Sequence, residues 1–181
     1  GKPFVFLDGP GGTQPPKAVI DSVVKYLENH NSNIHGHFII SQESDQIIQQ
    51  CRIHLAVFLG AKSWECISLG PNMTTLNLAL SRAFHNLLSA GDEIIITELD
   101  HEANRGPWLN LQKKGIIVKQ IPLKQDGTLD MDGFERRISK KTKLVAVGYS
   151  SNALGTVNDI KRARSVSHSV GAYLLVDAVH Y

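Results

Sequence analysis

Short apolar runs alternate with helix-like segments through most of this chain, and this alternation constrains its fold more than any other feature. Residues 93–97, 143–148 and 173–176 are built mainly from Ile, Leu, Val and Ala. Strands that are continuously apolar, rather than apolar at every second position, are typical of parallel sheets covered on both faces. Helical crossovers join strands of that kind. The pattern predicts an α/β fold with a doubly wound, mainly parallel sheet.

Turn residues and apolar periodicity set the expected bounds of the elements. The segment 29–41 is rich in Asn, His and Gly and is expected to be a loop. Gly60, Gly115 and Gly171 each follow a helical pattern, at the position where a glycine commonly ends a helix. Helices are predicted at residues 17–28, 43–59, 74–88, 103–114, 130–138 and 159–170, and strands at residues 66–69, 93–97, 116–121, 143–148 and 173–176.

Composition excludes several classes of protein. The 181 residues are 42% hydrophobic and 20% charged, which is ordinary for a globular domain and excludes wholesale disorder. A net charge of +2 argues against a dedicated nucleic-acid binder. No apolar run approaches the roughly 18 residues that span a bilayer, and no signal-peptide pattern opens the chain. We expect a cytoplasmic protein with no nucleic-acid or membrane partner.

The chain has two cysteines, Cys51 and Cys66. They are too few for a disulfide framework and do not form a close metal-binding pair, so no metal site is expected. Because one falls in a predicted helix and the other in a predicted strand, we expect both to be buried packing residues rather than nucleophiles.

The loop after residues 66–69 is a candidate phosphate site. It reads G-P-N-M-T-T and leads directly into a predicted helix, whose free N–H groups and dipole favour an anion. Alternatively, Asn72 or Thr74 only caps that helix, which is the commoner role of such residues. The loop is not a Walker motif, and Gly9, Gly11 and Gly12 do not form a dinucleotide fingerprint.

Three further polar side chains follow predicted strands. His101 could stack on a planar ring or move a proton, or it could be an exposed neighbour of a helix capped by Asp100. Asn152 could donate to a ligand oxygen or only form a turn. Asp177 needs a cationic partner if it is buried, but it could also be an ordinary capping residue of a loop. Since ligands of open parallel sheets bind beyond the carboxyl ends of the strands, we expect these residues on one rim.

Taken together, these features match the requirements of pyridoxal 5'-phosphate (PLP). Its phosphate binds well at a helix N-terminus, its ring needs a stacking partner, and a carboxylate keeps its ring nitrogen protonated. The combination predicts this cofactor more strongly than any single motif does.

Longer segments carry a family resemblance. Residues 98–108 read E-L-D-H-E-A-N-R-G-P-W, residues 151–155 read S-N-A-L-G, and residues 31–37 read N-S-N-I-H-G-H. They resemble, respectively, the motifs E-x-E-H-H-A-N-x-x-P-W, S-N-V-L-G and N-x-x-H-R-G. These motifs belong to the class V aminotransferase family, specifically its cysteine desulfurase-like proteins of PLP fold type I. Residues 6–13, F-L-D-G-P-G-G-T, are similar to that family's L-D-x-A-A segment near the substrate pocket.

The resemblance implies roles for individual residues. His101 would stack on the PLP ring and Asp177 would pair with its nitrogen, and these two are the catalytic candidates. His180 takes the place of the family's usual Gln. The implied cofactor-binding set is Asn72, Met73, Thr74, His101, Asn152, Asp177 and His180, and the implied substrate-side set is Gly11, Gly12, His35 and Asn152.

The chain also departs from the family. Residues 71–77 read P-N-M-T-T-L-N where members generally have G-T-T-E-x-x-N. The resemblance implies that the Schiff-base lysine follows Asp177 by some tens of residues, beyond Tyr181, and that the persulfide cysteine and the substrate-binding arginine lie there too. Lys161 is a poor candidate for the Schiff-base lysine, because it precedes the Asp177 strand within a predicted helix. We therefore expect a truncated chain that is inactive alone: residues 1–41 as an N-terminal segment with substrate-side loops, and residues 42–181 as the first part of the PLP-binding large domain.

Several functions stay open at this point. The resemblance implies an enzyme that acts on an amino acid through an external aldimine, favours C–S cleavage of a cysteine-like substrate and works as a homodimer. Transaminase, lyase and epimerase chemistry use the same residues. The alternatives are a catalytically incomplete pseudo-enzyme or fragment that serves as a binding module, and a nucleotide-binding Rossmann-like module without PLP.

Overall fold

The computed structural model describes residues 4–5 and 7–181, and the chain divides into two compact units, Gly1–Leu69 and Gly70–Tyr181. Phe6, which belongs to the segment similar to the family's L-D-x-A-A motif, lies outside the described residues. In the part of the chain that is described, no helix is both long and apolar enough to cross a membrane.

The first unit contains helices α1 (Lys17–Asn29) and α2 (Ile39–Leu59), with short 3-10 helices at Gly9–Gly11 and Trp64–Cys66. The Ser44 hydroxyl joins the two long helices: it donates to the carbonyl oxygen of His30 at 2.9 Å and lies 3.3 Å from the Tyr26 hydroxyl. Gly60 ends α2 in the left-handed region, with a φ of 64°, as the sequence pattern predicts.

Helix α2 begins at Ile39, four residues before its predicted start. Ser41 lies in the first turn of this helix and is fully buried, and its hydroxyl accepts a 2.7 Å hydrogen bond from the Gly36 backbone N–H. This contact fixes the preceding loop against the first turn. The start of α2 is therefore decided by a contact that the local apolar period does not encode.

Two predictions in this unit are wrong. Residues 66–69 were expected to form a strand, but Trp64–Cys66 is a 3-10 helix and the residues after it pair with no strand in the described part of the chain. A strand needs a neighbour for its backbone hydrogen bonds, whatever its own propensity. Cys51 and Cys66 were expected to be buried, but both are exposed free thiols.

The second unit is built on a four-stranded, wholly parallel sheet in the order β2-β1-β3-β4. The strands are β1 (Glu93–Thr97), β2 (Ile117–Ile121), β3 (Thr142–Gly148) and β4 (Tyr173–Asp177). The helices are α3 (Met73–Leu87), α4 (Glu102–Leu109), α5 (Met131–Arg137) and α6 (Ile160–Ser169), and Asn110–Lys114 continues α4 as a 3-10 helix. The predicted bounds of the four strands agree with these to within one residue.

Both faces of the sheet are covered, which confirms the doubly wound layout. Ile94, Ile96 and Leu144 belong to a core cluster with Trp108 of α4, whose ring meets Phe84 of α3 edge-on at 5.8 Å. On the opposite face, a second cluster consists of Ile95, Ile121, Phe134, Val145 and Ala163. Ile94, Ile95 and Ile96 are each fully buried, so the continuous apolar run of β1 reflects burial on both faces.

At the amino end of the sheet, Glu93 forms a polar cluster that joins three strands. Its Oε2 lies 2.7 Å from Nζ of Lys119 in β2, and it accepts hydrogen bonds from the hydroxyls of Ser139 at 2.7 Å and Thr142 at 3.1 Å. Burial on its own raises the pKa of this carboxyl, but the three donors outweigh burial and lower it below 4.5. The cluster lies at the end of the sheet opposite to the residues expected to bind a ligand.

Candidate functional site

A small cavity lies at the carboxyl ends of β1, β3 and β4. Four of the residues singled out from the sequence line it: His101, Asn152, Asp177 and His180. Asp100 lines the same cavity, although its sequence pattern had indicated only a helix-capping role. The parallel sheet brings these residues together because its strands end at one edge.

Gly148 lies at the centre of this arrangement. It is the register partner of Asp177 in β4, and its backbone N–H donates to Oδ1 of Asp100 at 2.7 Å. Its carbonyl oxygen accepts a 2.8 Å hydrogen bond from Nδ2 of Asn158. A Cβ at this position would lie 2.7 Å from Oδ1 of Asp100, so only glycine lets the carboxylate reach the backbone here.

Asp100 has a perturbed pKa. Burial raises the pKa of its carboxyl from 3.8 to about 6, and the nearby charge of Asp177 acts in the same direction. Hydrogen bonds from Gly148 and Asn104 offset only part of this effect. A buried carboxyl with a shifted pKa in a cleft is a common mark of a functional site.

A line of buried amides extends from Asp100 towards α3. Nδ2 of Asn104 donates to Oδ2 of Asp100 at 3.1 Å. Nδ2 of Asn77 lies 3.4 Å from Oδ1 of Asn104 and donates to the Ala103 carbonyl oxygen at 2.7 Å. Asn104 is fully buried and Asn77 nearly so, and Oδ1 of Asn77 has no hydrogen-bond partner among the described residues.

The N-terminus of α3 has the geometry expected of an anion site. Oδ1 of Asn72 accepts a 2.8 Å hydrogen bond from the Thr75 N–H, so Asn72 is the N-cap and Met73 and Thr74 lie in the first turn. The capping role considered from the sequence is therefore real, and it leaves other N–H groups of the turn free for an anion.

A second cavity, of about 360 Å³, connects this helix end to Asp177. Met73, Leu76 and Asn77 of α3 line it together with Asp177 and the residues that follow β4. Asp177 therefore lies in the walls of both cavities. One of its carboxylate oxygens accepts a 3.1 Å hydrogen bond from the Val179 N–H.

His101 is the N-cap of α4, a role that the sequence analysis considered for Asp100. Its Nδ1 accepts a 3.1 Å hydrogen bond from the Ala103 N–H, so a neutral His101 ring carries its proton on Nε2. Asp100 does not cap the helix because its carboxylate turns towards Gly148 instead.

Three of the candidate substrate-side residues, Gly11, Gly12 and His35, belong to the first unit. Gly11 ends the first 3-10 helix, its N–H donates to Oδ1 of Asp8 at 3.2 Å, and Gly12 follows as the C-cap. His35 has a φ of 66°, and the Asp45 carboxylate contacts both its backbone N–H at 3.0 Å and its Nδ1 at 3.2 Å. Their role towards a substrate stays a prediction.

Sequence reasoning missed Asn77, Asn104 and the ligand-side position of Asp100. The available signal for Asp100 was its place in the loop three residues after β1, at the same carboxyl edge of the sheet as Asp177. Both asparagines stand at the Asn positions of the family motifs matched by residues 71–77 and 98–108, which was the available signal. Their contacts depend on partners 4 to 27 residues away.

The donor set fits PLP by its chemistry. A helix N-terminus suits a phosphate, a carboxylate suits a protonated ring nitrogen, and an imidazole and an amide suit the ring and its substituents. Lysines are a different matter: none of those in the described residues lines either cavity, and Lys161 is exposed in the first turn of α6.

The chain is similar in sequence to known proteins over nearly its whole length. A family model described as aminotransferase class-V matches residues 5–181. A probable cysteine desulfurase of Halalkalibacterium halodurans is 36% identical over 98% of this chain and 44% of its own length. A cysteine desulfurase of Haloferax volcanii is 35% identical over 97% of this chain and 42% of its own length.

Among solved structures, the apo cysteine desulfurase of Thermococcus onnurineus superposes with a TM-score of 0.87 and 28% sequence identity. The match covers 94% of this chain and 43% of that one. The chain thus spans less than half the length of the relatives it matches.

Proposed function

Because this chain belongs to the aminotransferase class-V family and resembles its cysteine desulfurases, we propose that it provides the phosphate and ring sites of a PLP enzyme acting on a cysteine-like amino acid. One observation carries the proposal. Asp177 lies in the walls of two cavities, one reaching the N-terminus of α3 and the other containing His101 and Asn152. A ligand with an anionic end and a cationic ring nitrogen requires this juxtaposition.

Each residue has a specific task in this proposal. Asn72, Met73 and Thr74 would hold the phosphate at the start of α3 through free N–H groups and side-chain donors. Asp177 would accept a hydrogen bond from the protonated ring nitrogen. His101 would stack on the ring, while Asn152 and His180 would contact its polar substituents.

The cofactor, when bound, supplies an electron sink for reactions at the amino-acid Cα. The protein determines how effective that sink is. The Asp177 carboxylate favours the protonated ring nitrogen, since a neighbouring opposite charge stabilises a cation. His101 has Nδ1 engaged by the Ala103 N–H, which leaves Nε2 as the ring atom available for proton movement.

The finer parts of the function are proposals that rest on the relatives' names and on family resemblance. We propose cysteine as the substrate and C–S cleavage as the reaction, because the relatives at 35–36% identity are cysteine desulfurases or probable ones. Covalent attachment of the substrate to the cofactor, a homodimer, a cytoplasmic location, and a substrate-side role for Gly11, Gly12, His35 and Asn152 are part of the same proposal. So is the division at residue 41 into an N-terminal segment and a cofactor-binding domain.

A second candidate is a non-catalytic binding module. The observation that favours it is the lack of a lysine in either cavity among the described residues. Such a protein would bind PLP without a covalent bond or would not bind it at all.

The test uses the complete natural protein that contains residues 1–181. It is mixed with PLP and examined for a visible absorbance band that borohydride abolishes. Alanine and sulfide production from cysteine is then measured with dithiothreitol present, because release of the sulfur as sulfide needs two electrons from a reductant. The enzyme proposal expects the band and both products, and Asp177→Asn should lower cofactor retention. A wild-type protein with no such band contradicts the enzyme proposal and supports the binding module, whereas a band without either product contradicts C–S cleavage of cysteine.

A further inference from the structure

The carboxyl edge of the sheet carries a second carboxylate that the proposed function leaves unused. Asp100 lines the cavity that contains Asp177, but it follows β1 whereas Asp177 ends β4. The two strands are not neighbours, because β3 lies between them. The last residue of β3, Gly148, contacts Asp100 through its N–H and is the register partner of Asp177. The two carboxylates therefore flank one glycine.

Asp100 is held in place from two elements besides its own. The Gly148 N–H donates to Oδ1 and the Asn104 amide donates to Oδ2, so each carboxylate oxygen has a fixed donor. Asn104 is in turn contacted by Asn77 of α3, the helix whose N-terminus is the candidate phosphate site. A surface carboxylate would be free to turn into water, whereas this one is held by a donor on each of its oxygens.

Three other titratable side chains line the cavity with Asp100. The end of β4 and the loop after it contribute Asp177 and His180, and the N-cap of α4 contributes His101. The elements packed against Asp100 from β3 and α3 present the uncharged Gly148 and Asn77. An ionised Asp100 thus adds a negative charge to the environment of whatever cation Asp177 binds.

We propose that Asp100 is a positioning residue of the ring site: its carboxylate fixes Gly148 in the wall of the cavity, and its negative charge helps Asp177 to keep a bound aromatic nitrogen protonated. This inference rests on the proposed function, since the nitrogen concerned is that of the PLP ring. It also explains why β3 ends in glycine: a Cβ at residue 148 would meet Oδ1 of Asp100 at 2.7 Å.

The experiment measures the protonation of the ring nitrogen directly. The complete natural protein is loaded with PLP that carries ¹⁵N in its ring, and the nitrogen chemical shift is followed against pH. In Asp100→Asn, the pH at which the nitrogen loses its proton should fall by about one unit, as expected for removing one charge at short range through protein. Asp100→Glu, which keeps the charge, should restore most of this shift. Asp126→Asn removes an exposed carboxylate elsewhere and should leave the pH at which the ring nitrogen loses its proton unchanged.

A second variant guards against misfolding of Asp100→Asn. Gly148→Ala keeps the Asp100 charge but forces the carboxylate away from the backbone. The pH at which the ring nitrogen loses its proton should therefore fall in this variant as well. The inference is overturned if, in either folded variant, the ring nitrogen loses its proton at the same pH as in the wild-type protein. If wild-type protein binds no PLP, the proposed function has failed instead, so the two failures are distinguishable.

Discussion

The Asp100 carboxylate accepts a 2.7 Å hydrogen bond from the Gly148 backbone N–H, across 48 residues of sequence. This contact ties the loop after β1 to the last residue of β3, beside the strand that carries Asp177. It fixes one wall of the cavity that holds most of the candidate ring-binding residues. It also places Asp100 close enough to Asp177 for the charge of Asp177 to raise the pKa of Asp100.

The first prediction concerns the pH dependence of stability in the cofactor-free protein. The pKa of Asp100 is raised from 3.8 to about 6, so the folded protein holds a proton at a pH where the unfolded chain has lost it. The stabilisation from this group is complete below about pH 4 and is lost as the pH rises through about 6. A shift of this size corresponds to at most about 3 kcal/mol.

Urea unfolding at pH values from 4 to 7 measures the effect. Wild-type stability should contain a component that falls over this range, and Asp100→Asn should lack it. The Asp126→Asn variant serves as the control for loss of an exposed carboxylate. Equal pH slopes in wild type and Asp100→Asn would contradict the assignment of this titration to Asp100.

The second prediction concerns Glu93 at the opposite end of the sheet, where the sign is reversed. Hydrogen bonds and the Lys119 ammonium lower the pKa of Glu93, so its stabilisation is present above pH 4.5 and is lost as the pH falls through the lowered value. Glu93→Gln should destabilise the protein by about 2 kcal/mol at pH 7, because it leaves the half-buried Lys119 without its charged partner.

Arg162→Gln is the matched control for Glu93→Gln. Arg162 contacts Asp132 and Glu135 at 2.7 Å each, but this cluster is largely exposed and should contribute less than about 1 kcal/mol. Chemical denaturation of both variants at pH 7 and at pH 3 makes the comparison. Equal losses in the two variants at pH 7 would show that burial of Glu93 does not strengthen its contacts.

The third prediction separates capping from anion binding at α3. Asn72→Ala removes the acceptor of the Thr75 N–H and should cost about 1 kcal/mol of stability. Asn72→Asp keeps the cap, and its negative charge interacts favourably with the positive end of the helix dipole. The variant should therefore be at least as stable as the wild-type protein. The same charge should repel a phosphate. PLP affinity, measured by fluorescence titration, should therefore fall in Asn72→Asp although stability does not.

The fourth prediction separates the two roles of His101. His101→Ala should lose about 1 kcal/mol, because the Ala103 N–H loses its acceptor, and it should also lose the stacking ring. His101→Asn can still cap α4 but cannot stack. If stacking matters, both variants should release PLP faster than wild type, whereas only His101→Ala should have a lower melting temperature. PLP release from His101→Asn at the wild-type rate would remove stacking from the roles of this residue.

The local pattern of the sequence determined the fold class and the strands of the second unit. Residues such as Ile94, Ile95 and Ile96 are apolar without alternation because helices cover both faces of the sheet. Such burial affects every residue in the run, so it can be recognised from the sequence alone. The positions of His101, Asn152 and Asp177 followed from the same reasoning, since parallel strands end at one edge.

The tertiary structure decided what depends on distant partners. Residues 66–69 have a strand-like composition, but a strand also needs a neighbour for its hydrogen bonds. Asp100 could have capped α4, as its sequence neighbourhood allows, yet its carboxylate turns to Gly148 and His101 caps the helix instead. The choice was made by an N–H group on another strand, at a glycine with no side chain to obstruct it. Local pattern can identify a polar residue at a strand end, but only the folded chain determines which group it contacts.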